Sequence, residues 1–179
     1  YEILLGLVGS EMFIRDRAKV GIVGMGYVGV PLGIEFAERG LEVVGFDTDA
    51  EKIKNINSGK QIMKHISSKK MTKFVKNGCK ATSDFEELKH TDCILMCVPT
   101  PLDTYEQPDM SYVKSATKTI SKNLRKGQLV ILESTTYPGT TKEIIKPILE
   151  ESGISCRQGF LSRILSRCLL YTSDAADDP

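Results

Sequence analysis

The chain has 179 residues, with 24 Lys and Arg against 23 Asp and Glu, and a formal net charge of +1 at pH 7. This length suits one ordinary domain, and the balanced charge argues against nucleic acid or an anionic membrane as a partner. The sequence has no run of the roughly 18 apolar residues that a membrane-spanning helix needs. Because no secretion signal is recognisable either, we expect a cytoplasmic protein.

Short β-branched runs alternate with amphipathic stretches of helix length between Lys19 and Ile154. This alternation predicts βαβ units around a parallel sheet. Strands are predicted at 19–23, at the run ending in Asp47, at 79–82, at 92–98 and within 128–134, and helices at 30–39, at 50–57, before Asn77, from Asp109 to about 124 and after the loop 135–141. The run 92–98 is apolar almost throughout, so we place it at the centre of the sheet.

Side-chain caps are also predicted at three helices, and Asp109 is expected to cap the helix that ends near residue 124. Ser83 and Glu86 have the spacing of a capping box at the start of the helix before residue 92. Thr140 and Thr141 are expected to cap the final helix.

The five cysteines are odd in number and include neither a C-x-x-C pair nor a nearby Cys/His cluster. We therefore expect no metal site and no disulfide framework. Cys93 and Cys97 lie four residues apart in one predicted strand, so they share a face and should be small, buried core residues in a reducing compartment. The remaining cysteines are Cys79, Cys156 and Cys168.

A G-x-G-x-x-G sequence follows the first predicted strand and opens the first predicted helix. Its residues, the first candidates for cofactor binding, are Gly24, Met25, Gly26, Tyr27, Val28 and Gly29. In a dinucleotide-binding unit, the glycines permit a tight turn, close approach of a pyrophosphate and close packing of helix on strand. The motif predicts a Rossmann-type, doubly wound parallel sheet in a single α/β domain. A tight strand-to-helix turn without a nucleotide is the alternative.

Asp47 ends the second predicted strand at the position expected for an acceptor of the adenosine ribose hydroxyls. Its negative charge would repel a 2′-phosphate, which favours NAD over NADP. Lys52 is also a candidate, because its cation would soften this discrimination if it lay over the adenosine side. A lysine exposed to solvent on the helix is the alternative.

Further candidates follow two other strands, because the ligand of a doubly wound sheet crosses the carboxyl ends of the strands. They are Val98, Pro99, Thr100 and Thr135. The alternative for the first three is a strand that simply ends at proline. His65 and His90 have no recognisable nucleophile or base partner, so we assign no catalytic residue and no metal ligand.

Several motifs in order resemble the nucleotide-sugar dehydrogenases, the UDP-glucose/GDP-mannose dehydrogenase family. They are the glycine loop, GFDTD around Asp47, CVPTPL ending at Leu102, Asp109–Val113 and LESTTYPGTT ending at Thr141. The resemblance covers 18–160, which we expect to be the NAD-binding domain. The loop TTYPGTT and Lys64–Ile66 are most similar to the branch acting on UDP-N-acetylhexosamines, UDP-N-acetylglucosamine in particular.

The resemblance implies an NAD-dependent oxidation of the sugar C6 alcohol to a uronic acid, in two steps with two NAD, for polysaccharide biosynthesis. In the family a cysteine thiolate captures the intermediate aldehyde, and this cysteine and the sugar-binding residues lie in later segments. The chain is therefore expected to be an inactive fragment of an enzyme that binds a UDP-sugar and forms a homo-oligomer. The alternatives are a UDP-glucose 6-dehydrogenase, another β-hydroxyacid-type dehydrogenase, or a stand-alone nucleotide-binding module without catalysis.

The two ends do not continue the βαβ pattern and resemble translated sequencing adapters. Residues 1–17 and 161–179 are therefore predicted to be non-native or disordered. Native disordered tails are the alternative.

Overall fold

The structure is a computed structural model that describes residues 18–64, 66–102, 104 and 107–154. The predicted ends at 1–17 and 161–179 lie outside the described residues. The same holds for His65, Cys156 and Cys168.

Five parallel strands form one sheet in the described part of the chain. They are β1 (Lys19–Val23), β2 (Glu42–Phe46), β3 (Lys80–Thr82), β4 (Cys93–Met96) and β5 (Leu129–Leu132). The order β3-β2-β1-β4-β5 reverses direction between β1 and β4, which confirms the predicted Rossmann-type sheet.

The placement of the 92–98 strand at the sheet centre is wrong. The central strand is β1, with two strands on each side, and β4 is its neighbour. All four residues of β4 are buried, but β1 is almost as buried. An apolar run reports that a strand is covered on both faces, and every interior strand of this sheet is covered in that way.

Helices cover both faces of the sheet. On one face lie α1 (Gly29–Glu38), α2 (Ala50–Asn57) and α3 (Ser68–Lys76), and on the other a 3₁₀ helix (Phe85–His90), α4 (Ser111–Asn123) and α5 (Lys146–Glu150) after a π-helical turn (Thr141–Ile145). Alternate residues of a strand serve opposite layers: Ile22 packs in the layer of α1 to α3, whereas Val23 packs in the layer of α4 and α5.

The caps differ in part from the prediction. Asp109 accepts a hydrogen bond from the backbone N–H of Ser111 at 2.9 Å, so it does stabilise the start of α4. The capping box of Ser83 and Glu86 is wrong, because Asp84 accepts the Glu86 N–H at 3.0 Å instead. The helix is a 3₁₀ helix that begins at Phe85, and Asp84 is the residue immediately before it.

The cap predicted at Thr140 is wrong as well. Its side chain makes no cap to the helical turn that follows, and its hydroxyl donates backwards to the Tyr137 carbonyl at 2.8 Å. This bond closes the loop after β5 on itself, an alternative that threonine side chains offer at such positions.

The three described cysteines are free thiols buried in the core, as predicted for Cys93 and Cys97. Burial raises the pKa of each of these two thiols to about 12, and the charge of Glu133 adds to the effect. Among the described residues, no group of three or more His, Cys, Asp or Glu could hold a metal ion. No helix in that part of the chain is long and apolar enough to cross a membrane.

Two side chains bind the segments at the amino edge of the sheet together. Arg125 donates to the Lys89 carbonyl at 2.8 Å, to the Thr91 carbonyl at 2.7 Å and to the Asp92 carboxylate at 2.5 Å. The buried Gln128 donates to the Thr91 carbonyl at 2.7 Å and accepts the Arg125 N–H at 2.7 Å. These bonds join the segment before β4 to the segment before β5. His90, which is exposed, belongs to the former and lies away from the glycine loop.

Candidate functional site

The backbone conformation at the first position of the loop and the atoms around it both require glycine. Gly24 has a φ of 96°, which side chains of L-residues rarely allow. A Cβ added there would lie 2.7 Å from the Cys97 carbonyl oxygen and 3.1 Å from the Val98 nitrogen. The turn after β1 therefore packs directly against the end of β4, which places Val98 beside the glycine loop as expected for the switch point.

The other two glycines have contrasting surroundings. A Cβ on Gly29 would overlap the Gly24 carbonyl oxygen, so this glycine lets α1 begin against the turn. A Cβ on Gly26 would have no atom within 4 Å, and Gly26 is not among the glycines with positive φ. Crowding within the protein therefore does not explain glycine at Gly26, whereas an approaching pyrophosphate would need this open space. The loop fits a dinucleotide in this respect.

The start of α1 is electrostatically suited to a phosphate. No acidic residue lies in the first turn of α1, so the positive end of the helix dipole is not neutralised there. Tyr27 and Val28 precede this turn with exposed side chains.

Asp47 follows β2 and is held by the loop and by α2. Its Oδ2 accepts the Met25 N–H at 2.9 Å, and its Oδ1 accepts the Asp49 N–H at 3.0 Å. The Nζ of Lys52 donates to Oδ2 at 2.8 Å. Burial by itself raises the pKa of Asp47, but the hydrogen bonds from Lys52, Asp49 and Met25 outweigh it and hold this pKa below its usual value.

The contacts of Asp47 leave it able to bind a hydroxyl group. A carboxylate offers about two acceptor positions on each oxygen. On Asp47, Oδ2 has two donors and Oδ1 has one, so one position on Oδ1 remains for a ribose hydroxyl. Lys52 lies over this carboxylate with about a third of its side chain exposed, so it is not simply a lysine in solvent.

The candidates after β4 and β5 meet at the same edge of the sheet. The hydroxyl of Ser134 donates to the Val98 carbonyl at 2.7 Å and so joins the two segments. Thr100 is half-buried, and Pro99, which precedes it, is exposed. Thr135 is exposed as well and follows Ser134, the residue that the hydrogen bond joins to Val98. Ser134 was not among the predicted site residues, and its neighbours in the sequence give no sign of a bond across 36 positions.

Met25 and Gly45 show a contact that the sequence analysis missed. Met25 is only 1% exposed as a whole residue and its backbone N–H is bonded to Asp47, so neither its side chain nor this N–H is available to a cofactor. A Cβ on Gly45 would lie 2.5 Å from the Met25 sulfur, so Met25 packs directly on the backbone of β2. A glycine inside a predicted strand is the sequence signal for such a close approach.

Comparison with known proteins identifies a family and relatives for this chain. Residues 18–160 match the NAD-binding domain of the UDP-glucose/GDP-mannose dehydrogenase family. A UDP-N-acetyl-D-glucosamine 6-dehydrogenase of Salmonella typhi is 37% identical over 150 residues, which are 83% of this chain and 35% of the relative. A UDP-N-acetyl-D-mannosamine dehydrogenase of Pyrococcus horikoshii is 36% identical over 141 residues, which are 76% of this chain and 33% of the relative.

A solved structure agrees with these sequence relatives. The NDP-N-acetyl-D-galactosaminuronic acid dehydrogenase of Methanosarcina mazei superposes with a TM-score of 0.74 at 32% identity, over 89% of this chain and 35% of that protein. The chain thus spans about a third of the length of the relatives it matches.

Proposed function

Because the chain belongs to the UDP-glucose/GDP-mannose dehydrogenase family, we propose that it is the NAD-binding part of a nucleotide-sugar 6-dehydrogenase. The complete enzyme would oxidise the C6 alcohol of a UDP-N-acetylhexosamine, in particular UDP-N-acetylglucosamine, to a uronic acid with two NAD. The observation that carries the proposal is the glycine loop, open at Gly26 and tied through Met25 to Asp47. When bound, NAD would supply the acceptor for the hydride.

The residues of this chain would bind and orient the cofactor. Gly26 and the start of α1 would receive the pyrophosphate, and the free position on Asp47 Oδ1 would accept a ribose hydroxyl. Thr100 and Thr135 lie at the same edge, where their hydroxyls would border the cofactor. All twelve predicted cofactor residues remain candidates on this proposal.

Selectivity for NAD over NADP would come from charge. A 2′-phosphate placed at the ribose would meet the Asp47 carboxylate, and the cation that lies on this carboxylate, Lys52, is already paired with it. The pair as a whole is neutral, but on this proposal the carboxylate, through the second position on its Oδ1, would be the group nearer to the ribose hydroxyl. Repulsion at short range should therefore exceed attraction.

Calorimetric titration of the chain with NAD and with NADP tests this proposal. A hydrogen bond to a charged acceptor is worth roughly 1.5 to 3 kcal/mol, so Asp47→Ala should weaken NAD binding by about 10- to 150-fold. Asp92→Ala is the matched control, because Asp92 also accepts a backbone N–H and pairs with a cation, but at the amino edge. Equal affinity of the unchanged chain for NAD and NADP would overturn the selectivity, and the absence of any NAD binding would overturn the function.

Catalysis is tested separately, because the chain spans only about a third of its relatives. We propose that the chain binds NAD without turnover, so NADH formation from a UDP-sugar by the purified chain would contradict this. Recovery of the complete gene would allow kcat/KM to be compared for UDP-N-acetylglucosamine, UDP-N-acetylmannosamine and UDP-glucose. A preference for UDP-glucose would move the enzyme to that branch, and no turnover of any would favour a stand-alone binding module.

The assembly and location of the complete enzyme also remain proposals. A homo-oligomer is expected, and light scattering of the complete enzyme would measure its mass. A cytoplasmic location is proposed because the buried free thiols of Cys93 and Cys97 suit a reducing compartment, and cell fractionation would test it.

A further inference from the structure

Met25 contacts the end of β2 and the residue that follows it, once through its backbone and once through its side chain. Its backbone N–H donates to Asp47 Oδ2 at 2.9 Å, and its side chain lies over Gly45. Three atoms of that side chain, Cγ, Sδ and Cε, would all lie within 2.8 Å of a Cβ on Gly45. Alternate residues of a strand face the same side, so Gly45 and Asp47 present one surface to Met25.

The rest of the sheet leaves room for this arrangement. Gly45 pairs with Ile22 on β1 and with Ala81 on β3. Glycine and alanine side by side on β2 and β3 form a shallow region of the sheet surface, which the buried thioether of Met25 fills. Met25, Ile22 and Ala81 belong to the same core layer.

A second hydrogen bond completes the attachment of the loop to β2. The Gly24 N–H donates to the Phe46 carbonyl at 2.8 Å. The first two residues of the glycine loop are therefore fixed to three consecutive residues, 45 to 47. The next residue is Gly26, where the loop opens to the space that a pyrophosphate requires.

We propose that the packing of Met25 on Gly45 is a positioning device that sets the distance between the ribose acceptor, Asp47, and the phosphate position at Gly26. The inference rests on the proposed NAD binding. Met25 and Gly45 act through other residues: the side chain of Met25 is buried and Gly45 has none, so neither side chain touches the cofactor. If the thioether is displaced, the Met25 N–H leaves Asp47 and Gly26 moves with it.

The main test uses Gly45→Ala. The new methyl group would displace the Met25 side chain, and we expect the affinity for NAD to fall about tenfold or more, as for loss of one hydrogen bond to a charged acceptor. The double variant Gly45→Ala with Met25→Ala removes all three clashing atoms, and the new methyl group on residue 45 then fills much of the space over β2 that those atoms occupied, 2.5 to 2.8 Å away. Its NAD affinity should return to within about threefold of that of the unchanged chain.

Gly33→Ala is the matched control. Gly33 lies in α1 in the same core layer, and an added Cβ would make ordinary contacts at 3.4 Å with Ile22 and Phe74 without touching Met25. We expect this variant to bind NAD as the unchanged chain does. All affinities are measured by calorimetry under conditions in which denaturation curves show each variant fully folded, so that reduced stability cannot imitate reduced binding.

The outcomes separate this inference from the proposed function. If the unchanged chain fails to bind NAD, the proposed function fails. If it binds NAD and folded Gly45→Ala binds equally well, or if the double variant does not regain affinity, the positioning role is wrong. Should Gly45→Ala not fold, Met25→Ala and Met25→Leu probe the same contact. Met25→Ala should weaken NAD binding more than Met25→Leu does, because leucine still fills the space over Gly45. Equal NAD binding by both variants would overturn the inference.

Discussion

Gly26→Ala should separate ligand binding from folding within the glycine loop. The added Cβ would have no atom within 4 Å, and the backbone at Gly26 is not in the positive-φ region. Replacing glycine where alanine fits reduces the freedom of the unfolded chain and stabilises a protein by about 0.4 to 1 kcal/mol. The same methyl group would occupy the space for the pyrophosphate, so NAD affinity should fall by about tenfold or more, which corresponds to at least 1.4 kcal/mol.

Two other glycine-to-alanine variants provide the comparison. Gly24→Ala would strain a backbone with φ of 96° and place a Cβ 2.7 Å from the Cys97 carbonyl oxygen. Strain and overpacking each cost about 1 to 3 kcal/mol, so we expect a loss of about 2 to 6 kcal/mol from a total of about 5 to 15. Gly40 has a φ of 84°, but an added Cβ there would have no atom within 4 Å. Gly40→Ala therefore isolates the backbone strain and should leave NAD binding unchanged.

Urea denaturation gives the free energy of unfolding for each variant, and calorimetry gives the NAD affinity. Gly26→Ala should lose NAD binding but not stability. A Gly26→Ala chain that binds NAD as tightly as the unchanged chain would show that phosphates do not approach this residue. A loss of more than about 1 kcal/mol of stability, a large share of a marginal total, would show that the space around it is not open.

Three further predictions concern the thiols, the pH dependence and the amino edge. The thiols of Cys93 and Cys97 are buried with pKa values of about 12, so at about pH 8 they should resist iodoacetamide in the folded chain and react in urea, as peptide mapping would show. The pKa of Asp47 is lowered in the folded chain, so its carboxylate stabilises the fold above the ordinary Asp pKa of about 3.9, and this contribution is lost as pH falls through the lowered value. Asp47→Asn should therefore flatten the acid limb of the curve of unfolding free energy against pH. An unchanged acid limb would contradict the lowered pKa. Arg125→Ala removes hydrogen bonds to Thr91 and Asp92 and should cost about 1 to 2 kcal/mol of unfolding free energy while NAD affinity stays constant; a reduced affinity would mean that the two edges are coupled.

Elements with a strong local pattern were predictable from the sequence. The bounds of β1 and α2 agree with the predicted ranges 19–23 and 50–57, because each has its own periodicity and a nearby signal to end it. The glycine motif was informative for the same reason, since its spacing, its strand and Asp47 all lie within one βαβ unit. The rule that a ligand crosses the carboxyl ends of the strands in a doubly wound sheet then placed the candidates after β4 and β5.

Features that depend on distant residues were not predictable in this way. The apolar run of β4 did not reveal that β1 is central, because strand order is decided by pairing across the chain. The packing of Met25 on Gly45 and the bond from Ser134 to Val98 join residues 20 and 36 positions apart. Caps failed for a related reason: Ser83 and Thr140 are suitable residue types, but the helix that follows Ser83 begins one residue too late, and Thr140 bonds backwards.

The two edges of the sheet have different physical tasks. At the amino edge, Arg125 and Gln128 pair with backbone carbonyls and with each other, and side chains used in this way stabilise the fold by satisfying polar groups. At the carboxyl edge, a Cβ on Gly26 would have no protein atom within 4 Å, and Asp47 keeps an acceptor position on Oδ1. An acceptor position left available in this manner adds little to stability and is suited to a ligand that completes it. This division explains why Arg125→Ala should reduce stability and leave binding unchanged, whereas Gly26→Ala should reduce binding without any loss of stability.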